Sequence, residues 1–444
     1  MNAAIDRDNL AERTRRHITR HLAPFLFLLY VLNYWDRVNI SYAALQMTGD
    51  LRFSNAVFGF GAGIFFIGYF LLQIPSTLLT EVWSARNFIG LTLILWGGLA
   101  TLGGFVNTAQ QFYWLRFFLG VAEAGFFPGV IVYLTHWYRY QDRGRAVALF
   151  MTAIPMSNML GAAVAARLMH LNWLGLHGWR WLLILEGFPA MTAGVVTFFY
   201  LTDWPKDARW LPVDERDWIS TELEHEKERK KSPTSLNAWN VLTHPRVMIL
   251  ALAYFCYITN SVGMGSWLPK ILQRISGLNQ THVILISGIP WLLAIPTMLV
   301  AAAHSDRTGE RRWHAAMPMF FVGVALSFSI AARNHLVFTI AAFSAATMAL
   351  YSFPSPFWAL PTIFLSGPAA AASIALINSM GNLGGFVGPY LIGYLADKTG
   401  SYTGGLLYLV ICGLVGSALI LSLRTRPSTT AILRNTETTS NRSR

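Results

Sequence analysis

Charged residues are scarce in this sequence of 444 residues. They make up 13% of the chain, whereas a soluble globular protein carries about 25%. Apolar residues reach 54%, aromatic residues reach 14%, and the mean hydropathy is +0.42. This composition excludes a disordered chain, a collagenous chain and an ordinary soluble enzyme, and it indicates a polytopic membrane protein.

Cysteine is almost absent as well. Cys256 and Cys412 both fall in apolar stretches, so the chain has no disulfide framework, and each is interpreted as a small buried hydrophobic residue. The sequence also lacks a G-x-x-x-x-G-K-[ST] phosphate loop, an H-E-x-x-H motif and a paired-cysteine metal motif. We therefore expect no enzyme activity, no organic cofactor and no metal site.

The net charge of +12 does not predict nucleic-acid binding. A basic patch that binds phosphates must lie on a solvated face, and most of this chain is too apolar to provide one. The expected partners are instead the lipid bilayer and a small molecule, with the chain functioning as a monomer.

Twelve apolar stretches are each about 20 residues long, enough to cross a hydrocarbon core of ~30 Å as a helix. They start near Leu22, Phe58, Phe88, Phe112, Ala146, Trp181, Val247, Val283, Ala315, Leu336, Ala369 and Gly405. The pattern predicts an all-α polytopic membrane protein with twelve transmembrane helices in two six-helix halves. The predicted divisions are an N-terminal tail (1–21), a first half (22–202), a linker (203–245), a second half (246–424) and a C-terminal tail (425–444).

The basic residues predict the orientation of these spans. Twenty-five of the 34 Lys and Arg residues lie in the two tails, the linker and the loops on the same side, and seven lie in the opposite loops. Because Lys and Arg accumulate on the cytoplasmic side, both termini and the linker are expected in the cytoplasm. No small-residue cleavage site follows the basic N-terminal segment, so the first span is expected to remain in the membrane. The alternating charges of the linker favour a solvated helix that acts as a tether.

Five charged residues lie inside the predicted spans: Asp36, Arg37, Arg116, Glu123 and Glu186. A charge at mid-membrane costs about 2.5 to 3.5 kcal/mol on insertion scales, so such residues face the interior of a helix bundle. Arg116 and Glu123 are seven residues apart and share a helix face, but a rise of about 10.5 Å separates them. Their partners must therefore belong to another helix or to a ligand.

Two interpretations of these charges remain. One is a buried ion-pair network that only locks helices together. The other is a functional site, which we favour because buried ion pairs rarely stabilise a protein more than apolar packing does. Glu186 is the weaker candidate, since an interfacial anchor or a pair with Arg180 explains it equally well.

Uncharged polar residues in other spans are further candidates for the site. Tyr69 and Gln73 are about one helical turn apart, and Asn378 and Asn382 share a face with two glycines that permit close helix approach. Trp358 could line the same space. For each of these residues taken alone, helix packing or an aromatic interface belt is the preferred explanation.

The six-plus-six plan with a long middle loop resembles the major facilitator superfamily, whose two halves enclose a site at mid-membrane. The stretch His304-Ser-Asp-Arg-Thr-Gly-Glu-Arg-Arg312 resembles the D-R-x-G-x-R-R loop of that superfamily. The same place in the first half reads Glu81-Val-Trp-Ser-Ala-Arg86, in which Glu replaces the Asp and Ser replaces the Gly.

Three further stretches resemble the anion:cation symporter family, which includes bacterial permeases for tartrate, phthalate, hydroxyphenylacetate and sugar acids. They are Asn33-Tyr-Trp-Asp-Arg-Val-Asn-Ile-Ser41, Arg116-Phe-Phe-Leu-Gly-Val-Ala-Glu-Ala-Gly-Phe-Phe-Pro128 and Asn378-Ser-Met-Gly-Asn-Leu-Gly-Gly-Phe-Val-Gly-Pro389. The resemblance implies that Asp36 and Glu123 carry protons and that Arg37 and Arg116 bind the anion. It also implies that Tyr69, Gln73 and Asn382 line the site.

The resulting functional hypothesis is uptake of a small organic carboxylate by proton-coupled symport across the cell inner membrane. Burial disfavours the charged form of a carboxyl group, so proton uptake near neutral pH is expected to release the arginines for the substrate. Two alternatives stay open from the sequence: a proton-driven exporter and a transporter-like nutrient sensor.

Overall fold

The computed structural model describes residues 2–229, 244–332, 335–364 and 367–423. Helices dominate these ranges, and their strand content is a single isolated bridge between Trp173 and Leu176, as the all-α prediction requires. The helices before the linker are α1 (Asn2–Asp50), α2 (Asn55–Val82), α3 (Ala85–Gly103), α4 (Ala109–Glu123), α5 (Phe126–Thr135), α6 (Tyr140–Met151), α7 (Ala153–Leu168) and α8 (Gly178–Tyr200).

The described part of the linker contains a short 3-10 helix (Pro205–Asp207) and the α-helix α9 (Val213–Arg229). The helices after it are α10 (Pro245–Ser276), α11 (Gln280–Ser287), α12 (Ile289–Thr308), α13 (Arg312–Ala331), α14 (Leu336–Ser352), α15 (Pro354–Phe364), α16 (Gly367–Thr399) and α17 (Thr403–Ser422). Within the described residues, ten helical stretches are long and apolar enough to cross a membrane. The other two predicted spans lie in α1 and α16, which are continuous helices of 49 and 33 residues.

Four of the spans consist of two helices each, and a proline lies within the first three residues of every second helix. These prolines are Pro128 in α5, Pro155 in α7, Pro290 in α12 and Pro354 in α15. A proline lacks the backbone N–H and is tolerated best in the first turn of a helix. In each of these four spans, the second helix thus begins at or just before a proline.

The first half of the bundle (α1–α8) meets the second half (α10–α17) mainly where α2 packs along α16, and also where α1 meets α10 and α7 meets α11 and α12. Glycines permit the close approach: a Cβ atom at Gly59 would overlap the carbonyl of Pro389. Within the first half, a Cβ atom at Gly120 would overlap the carbonyl of Phe65. Small residues at such contacts are typical of membrane helices.

Polar contacts between the two halves lie at the bundle end opposite the linker, which we call the far end, and at mid-depth. At the far end, Gln46 donates to Gln280 at 2.8 Å and Asn55 donates to Asp397 at 2.8 Å. At mid-depth, Ser379 and Asn382 approach Gln73. No hydrogen bond joins the halves nearer the linker in the ranges that the structure describes, so this conformation is closed at the far end.

The linker helix α9 is docked on the first half rather than hanging free. Glu215 is buried and accepts hydrogen bonds from Arg13 Nε at 2.7 Å and from His17 Nδ1 at 2.8 Å. Further along, Glu226 lies 3.0 Å from Arg143. The segment predicted as an N-terminal tail is helical from residue 2 and provides Arg13 and His17, the partners of Glu215. The rest of the linker (230–243) and the C-terminal tail (425–444) lie outside the described residues.

The loop between α2 and α3 and the related loop between α12 and α13 lie at the linker end, and they differ in their ion pairs as well as in sequence. In the second half, Asp306 pairs with Arg311 at 2.7 Å. The first-half copy has Ser84 in place of the glycine, and here Asp203, which follows α8, accepts hydrogen bonds from Ser84 Oγ at 2.6 Å and from the Arg86 amide at 2.9 Å. Asp203, from a distant part of the chain, therefore binds at the loop in which Glu81 replaces the aspartate of the motif.

Candidate functional site: a buried charge cluster

The first ion pair of the site joins α1 to α4. Arg37 Nε lies 3.0 Å from Glu123 Oε2, and Asn33 donates its side-chain amide to the same oxygen at 2.8 Å. The Glu123 side chain is completely buried, whereas that of Arg37 is 18% exposed. Glu123 is therefore held in place by one guanidinium and one amide.

The second ion pair joins the same two helices. Arg116 Nη1 lies 3.6 Å from Asp36 Oδ2, and both side chains are buried. This separation is too long for a direct hydrogen bond. The centroid of the Phe65 ring, on α2, lies 5.2 Å from the guanidinium carbon of Arg37 and 4.8 Å from that of Arg116. An aromatic ring at this distance attracts a cation, so α2 helps to hold both arginines.

Helical spacing explains why these pairs form. Residues 33, 36 and 37 share one face of α1, because positions three and four apart are neighbours on a helix. Arg116 and Glu123 share one face of α4, two turns apart. Arg116 and Glu123 of α4 therefore pair with Asp36 and Arg37 of α1. Both charges of α4 thus have partners on another helix of the same chain, as the sequence spacing required.

Glu186 of α8 joins this group, against the interpretation that it pairs with Arg180. Arg180 donates instead to the carbonyls of Gly104 and Val106 and to the side chain of Asn107. Glu186 is buried, and the polar groups that interact with it are Asp36, Asn39, Arg116 and Glu123. We call Asp36, Arg37, Arg116, Glu123 and Glu186 the charge cluster.

Tyr69 and Gln73 of α2 extend the site toward the second half. The Tyr69 ring lies 5.0 Å from the guanidinium carbon of Arg37. One turn further on, Gln73 Oε1 lies 3.4 Å from Asn382 Nδ2 and 3.3 Å from Ser379 Oγ, both on α16. Three predicted residues are thus brought to one place, and a fourth, Ser379, belongs with them.

The other two predicted residues lie further from the charges. Trp358 packs edge-on against Tyr254 at 4.8 Å, and Tyr254 in turn interacts with Tyr34 and Tyr69 beside Arg37. Asn378 lies on α16 next to Ser379, and no hydrogen bond of its side chain is found among the described residues. Aromatic rings therefore form the second-half wall opposite the arginines.

Sequence reasoning missed Asn39, Phe65 and Ser379 as members of the site. Asn39 is three residues after Asp36 on the same helix face, so the spacing rule that found Asp36 could have found it. No sequence signal singles out Phe65 among 29 phenylalanines.

Several buried polar atoms of the charge cluster have no hydrogen-bond partner within the described part of the chain. They are Asp36 Oδ2, Glu123 Oε1, Arg116 Nε and both carboxylate oxygens of Glu186. Buried polar atoms normally find partners. Open acceptors and an open guanidinium donor suit a site that takes up protons and an anion. No group of three or more His, Cys, Asp or Glu side chains in the described ranges is arranged to hold a metal ion.

The comparisons with known proteins agree with this architecture. Residues 26–389 match the family model described as Major Facilitator Superfamily. A protein of Agrobacterium vitis named "Putative tartrate transporter" is 45% identical over 421 residues, which cover 94% of this chain and 96% of that protein. A "Quinolone resistance transporter" of Acinetobacter baumannii is 36% identical over 91% of this chain and 93% of that protein.

Solved structures share the fold at low sequence identity. The xylose transporter XylE from E. coli, in an inward-open conformation, superposes with a TM-score of 0.74 at 14% identity and covers 92% of this chain and 97% of its own. The family match, the extent of these relatives and the helical bundle lead to one conclusion: the chain belongs to the major facilitator superfamily and is a multi-pass membrane transporter, not an enzyme.

Proposed function

We propose that this transporter imports a small organic carboxylate by proton-coupled symport. The observation that carries the proposal is the buried pairing of two arginines with two carboxylates, Arg37 with Glu123 and Arg116 with Asp36. Two buried guanidinium groups in one site suit a carboxylate substrate, which each can bind through two parallel hydrogen bonds. The carboxylates compete for the same donors.

Proton coupling follows from the charge balance of the two pairs. With both carboxylates ionised the four groups sum to zero, and protonating both leaves two positive charges. Protons arriving from outside would free Arg37 and Arg116 for the substrate, after which the two halves rock about the site. In this picture the linker end is cytoplasmic, both termini lie inside the cell, and the functional unit is a monomer in the inner membrane.

The walls of the site favour a carboxylate with hydroxyls or a ring. Gln73 and Asn382 provide amides for hydroxyl groups, and Tyr69, Tyr254 and Trp358 provide aromatic faces. Tartrate, a sugar acid and an aromatic acid all fit this chemistry. The name of the Agrobacterium vitis relative supports tartrate as the first compound to test.

The decisive experiment is uptake into proteoliposomes with an imposed pH gradient, acid outside. We expect the wild-type protein to accumulate labelled tartrate, or another acid from a panel, against its gradient. Asp36→Asn and Glu123→Gln should abolish accumulation, whereas Asp217→Asn and Glu224→Gln on the exposed face of α9 should not. If the first two variants still accumulate substrate, coupling through these carboxyl groups is wrong.

A thermal-shift screen over organic acids identifies the substrate class independently of transport. A ligand at about 100 times its dissociation constant stabilises the folded state by about 2.7 kcal/mol. The stabilising acids should lose their effect in Arg37→Gln and Arg116→Gln. Stabilisation that survives in both variants would place the anion elsewhere.

A second candidate, proton-driven export of a drug-like molecule, is favoured by the relative named as a quinolone resistance transporter. That relative is less similar than the one named for tartrate. Two arginines at the same depth in the membrane also disfavour the binding of a cationic substrate. Binding of organic cations to the purified protein, with no binding of organic anions, would decide for the exporter.

A further inference from the structure

Two histidines that the transport scheme does not use meet at the linker end of the second half. His304 lies near the end of α12 and His314 lies in the first turn of α13. The corner between them turns at Gly309, whose φ of 68° is in the left-handed region. Nδ1 of His304 lies 2.6 Å from Nε2 of His314, and the two ring centroids are 4.9 Å apart. A hydrogen bond between two imidazole rings therefore joins the helices at this corner.

Glu310 determines which of the two rings donates. Its carboxylate lies 3.2 Å from Nδ1 of His314 and also accepts from the backbone amides of Trp313 and His314 at the start of α13. An ionised carboxylate can only accept, so Nδ1 of His314 carries a hydrogen, and the other nitrogen of a neutral imidazole is an acceptor. His304 is therefore the donor to His314, through its Nδ1–H group.

This chain of hydrogen bonds tolerates one extra proton but not two. A proton on Nε2 of His304 leaves the donor and the acceptor of the central bond unchanged. A second proton must go to Nε2 of His314, which then becomes a donor and faces the donor of His304. Two positive rings at this distance also repel each other. The second proton therefore breaks the bond.

The other charged groups of this corner are engaged elsewhere or face the solvent. Asp306 pairs with Arg311 at 2.7 Å, and Arg312 donates to the carbonyl of Leu421. Arg307 is exposed in the last turn of α12. Glu310 is thus the carboxylate that the histidine pair contacts.

The neighbouring helices bring no further charge to this corner. Helix α12 packs on α7, α11, α14 and α15, and helix α13 packs on α14, α15 and α17. Helices α14, α15 and α17 contain no charged residue, and Arg167 of α7 and His282 of α11 lie at the far end. In the described ranges α12 and α13 do not pack along each other, so side-chain bonds at the corner are their main direct link.

We propose that His304 and His314 form an acid-released clasp, in which a second proton separates α12 from α13 at the linker end and thereby slows transport. This inference rests on the proposed function, in which the linker end is cytoplasmic and protons enter with the substrate. Histidine is the side chain that ordinarily titrates between pH 5 and 8. Because rocking requires each half to move largely as one body, cytoplasmic acidification would loosen the second half and limit further uptake.

The clasp is tested without substrate by hydrogen exchange and mass spectrometry of the corner peptide, residues 300–316, in detergent. Proteins are compared at the same pH, so the pH dependence of the chemical exchange rate cancels. At pH 7.5, His304→Ala should exchange several-fold faster than the wild-type protein, and at pH 5 the two should exchange equally fast. The control is His225→Ala on the exposed face of α9, which should match the wild type at both pH values.

His304→Asn is a clasp that acid cannot release. The asparagine amide takes the place of Nδ1, so it can donate to a neutral His314 or accept from a protonated one. The variant should match the wild type at pH 7.5 and exchange several-fold more slowly than the wild type at pH 5. Equal exchange of the wild type and His304→Asn at pH 5, or of the wild type and His304→Ala at pH 7.5, would overturn the proposal.

The effect on transport is tested by uptake of labelled tartrate into proteoliposomes with an internal pH of 7.5 or 5.5. The wild type and His304→Asn are compared under the same gradient, so their ratio reports the clasp alone. We expect equal rates at internal pH 7.5 and a several-fold faster rate for His304→Asn at internal pH 5.5. Equal rates at both values would reject the control of transport by the clasp.

Failure of the proposed function gives a different result. In that case neither protein shows proton-dependent uptake of any acid tested, while the hydrogen-exchange comparison still decides whether acid releases the bond between His304 and His314.

Discussion

Asp397 at the end of α16 caps the first turn of α2 in the opposite half, through Asn55. Its Oδ1 atom accepts from the backbone amide of Asn55 at 3.1 Å and from the side-chain amide at 2.8 Å, and its Oδ2 atom accepts from the amide of Ala56 at 2.7 Å. A negative charge is favourable at a helix N-terminus. Closure at the far end therefore depends on a contact that must break when the halves rock apart.

Asp397→Ala should shift the protein toward a conformation open at the far end. Hydrogen bonds to a charged group contribute about 1.5 to 3 kcal/mol each, and every 1.4 kcal/mol changes a population about tenfold. The measurement is the distance between spin labels at Gly49 and Lys398, in a background without Cys256 and Cys412. We expect a longer distance in Asp397→Ala and no change in the control Asp217→Asn. Equal distances in all three proteins would show that this cap does not hold the far end closed.

Glycine substitutions should separate contacts between the halves from contacts within one half. Gly59 faces Pro389 across the two halves, and Gly120 faces Phe65 inside the first half. Gly59→Ala should lengthen the distance between the same labels and leave the melting temperature nearly unchanged, because the contact is absent when the far end opens. Gly120→Ala should lower the melting temperature in every conformation. The reverse pattern would contradict this assignment of the two glycines.

Arg37→Leu should destabilise the protein strongly, because it leaves the buried carboxyl group of Glu123 without its cation. Removing one partner of a buried pair costs about 3 to 5 kcal/mol. The matched control is Arg16→Leu, whose pair with Glu12 is exposed and should contribute less than about 1 kcal/mol. Thermal unfolding in detergent measures both. The double variant Arg37→Leu with Glu123→Leu should recover part of the loss, and no recovery would argue against a direct pair.

Glu215→Ala should release the linker helix from the first half. Glu215 is buried and binds both Arg13 and His17 of α1, so its loss leaves His17 without this acceptor and leaves Arg13 with its exposed pair to Asp214. The rate of trypsin cleavage in the linker measures the release and should rise several-fold. Glu224→Ala, an exposed change on the same helix, is the control. A cleavage rate equal to that of the control would mean that α9 is held by other contacts.

Span positions follow from sequence because a bilayer demands about 20 apolar residues in a row, and the chain supplies such runs with prolines where the helices break. The cost of a charge in the membrane also singled out five residues, Asp36, Arg37, Arg116, Glu123 and Glu186, since few residues carry a charge in a span. Local patterns are sufficient for both conclusions. Neither needs knowledge of which helices are neighbours.

Glu186 shows where local patterns fail. Its neighbours in sequence, Trp181 and Arg180, suggest an interfacial anchor, but α8 packs against α1 and α3 and the Glu186 side chain is buried. The partners of a charge across a helix interface are set by packing, which no single helix encodes. Asn55 and Asp397, 342 residues apart, are a second case.

The sequence by itself determined the number of spans and the four charges that a bilayer would otherwise reject, because each depends on composition and helical period. Only the tertiary structure decided which guanidinium meets which carboxylate, that Glu186 is buried in the bundle, and that the two halves close at the far end. Those relations arise from helix packing between distant segments, where glycine contacts and buried polar atoms select one arrangement.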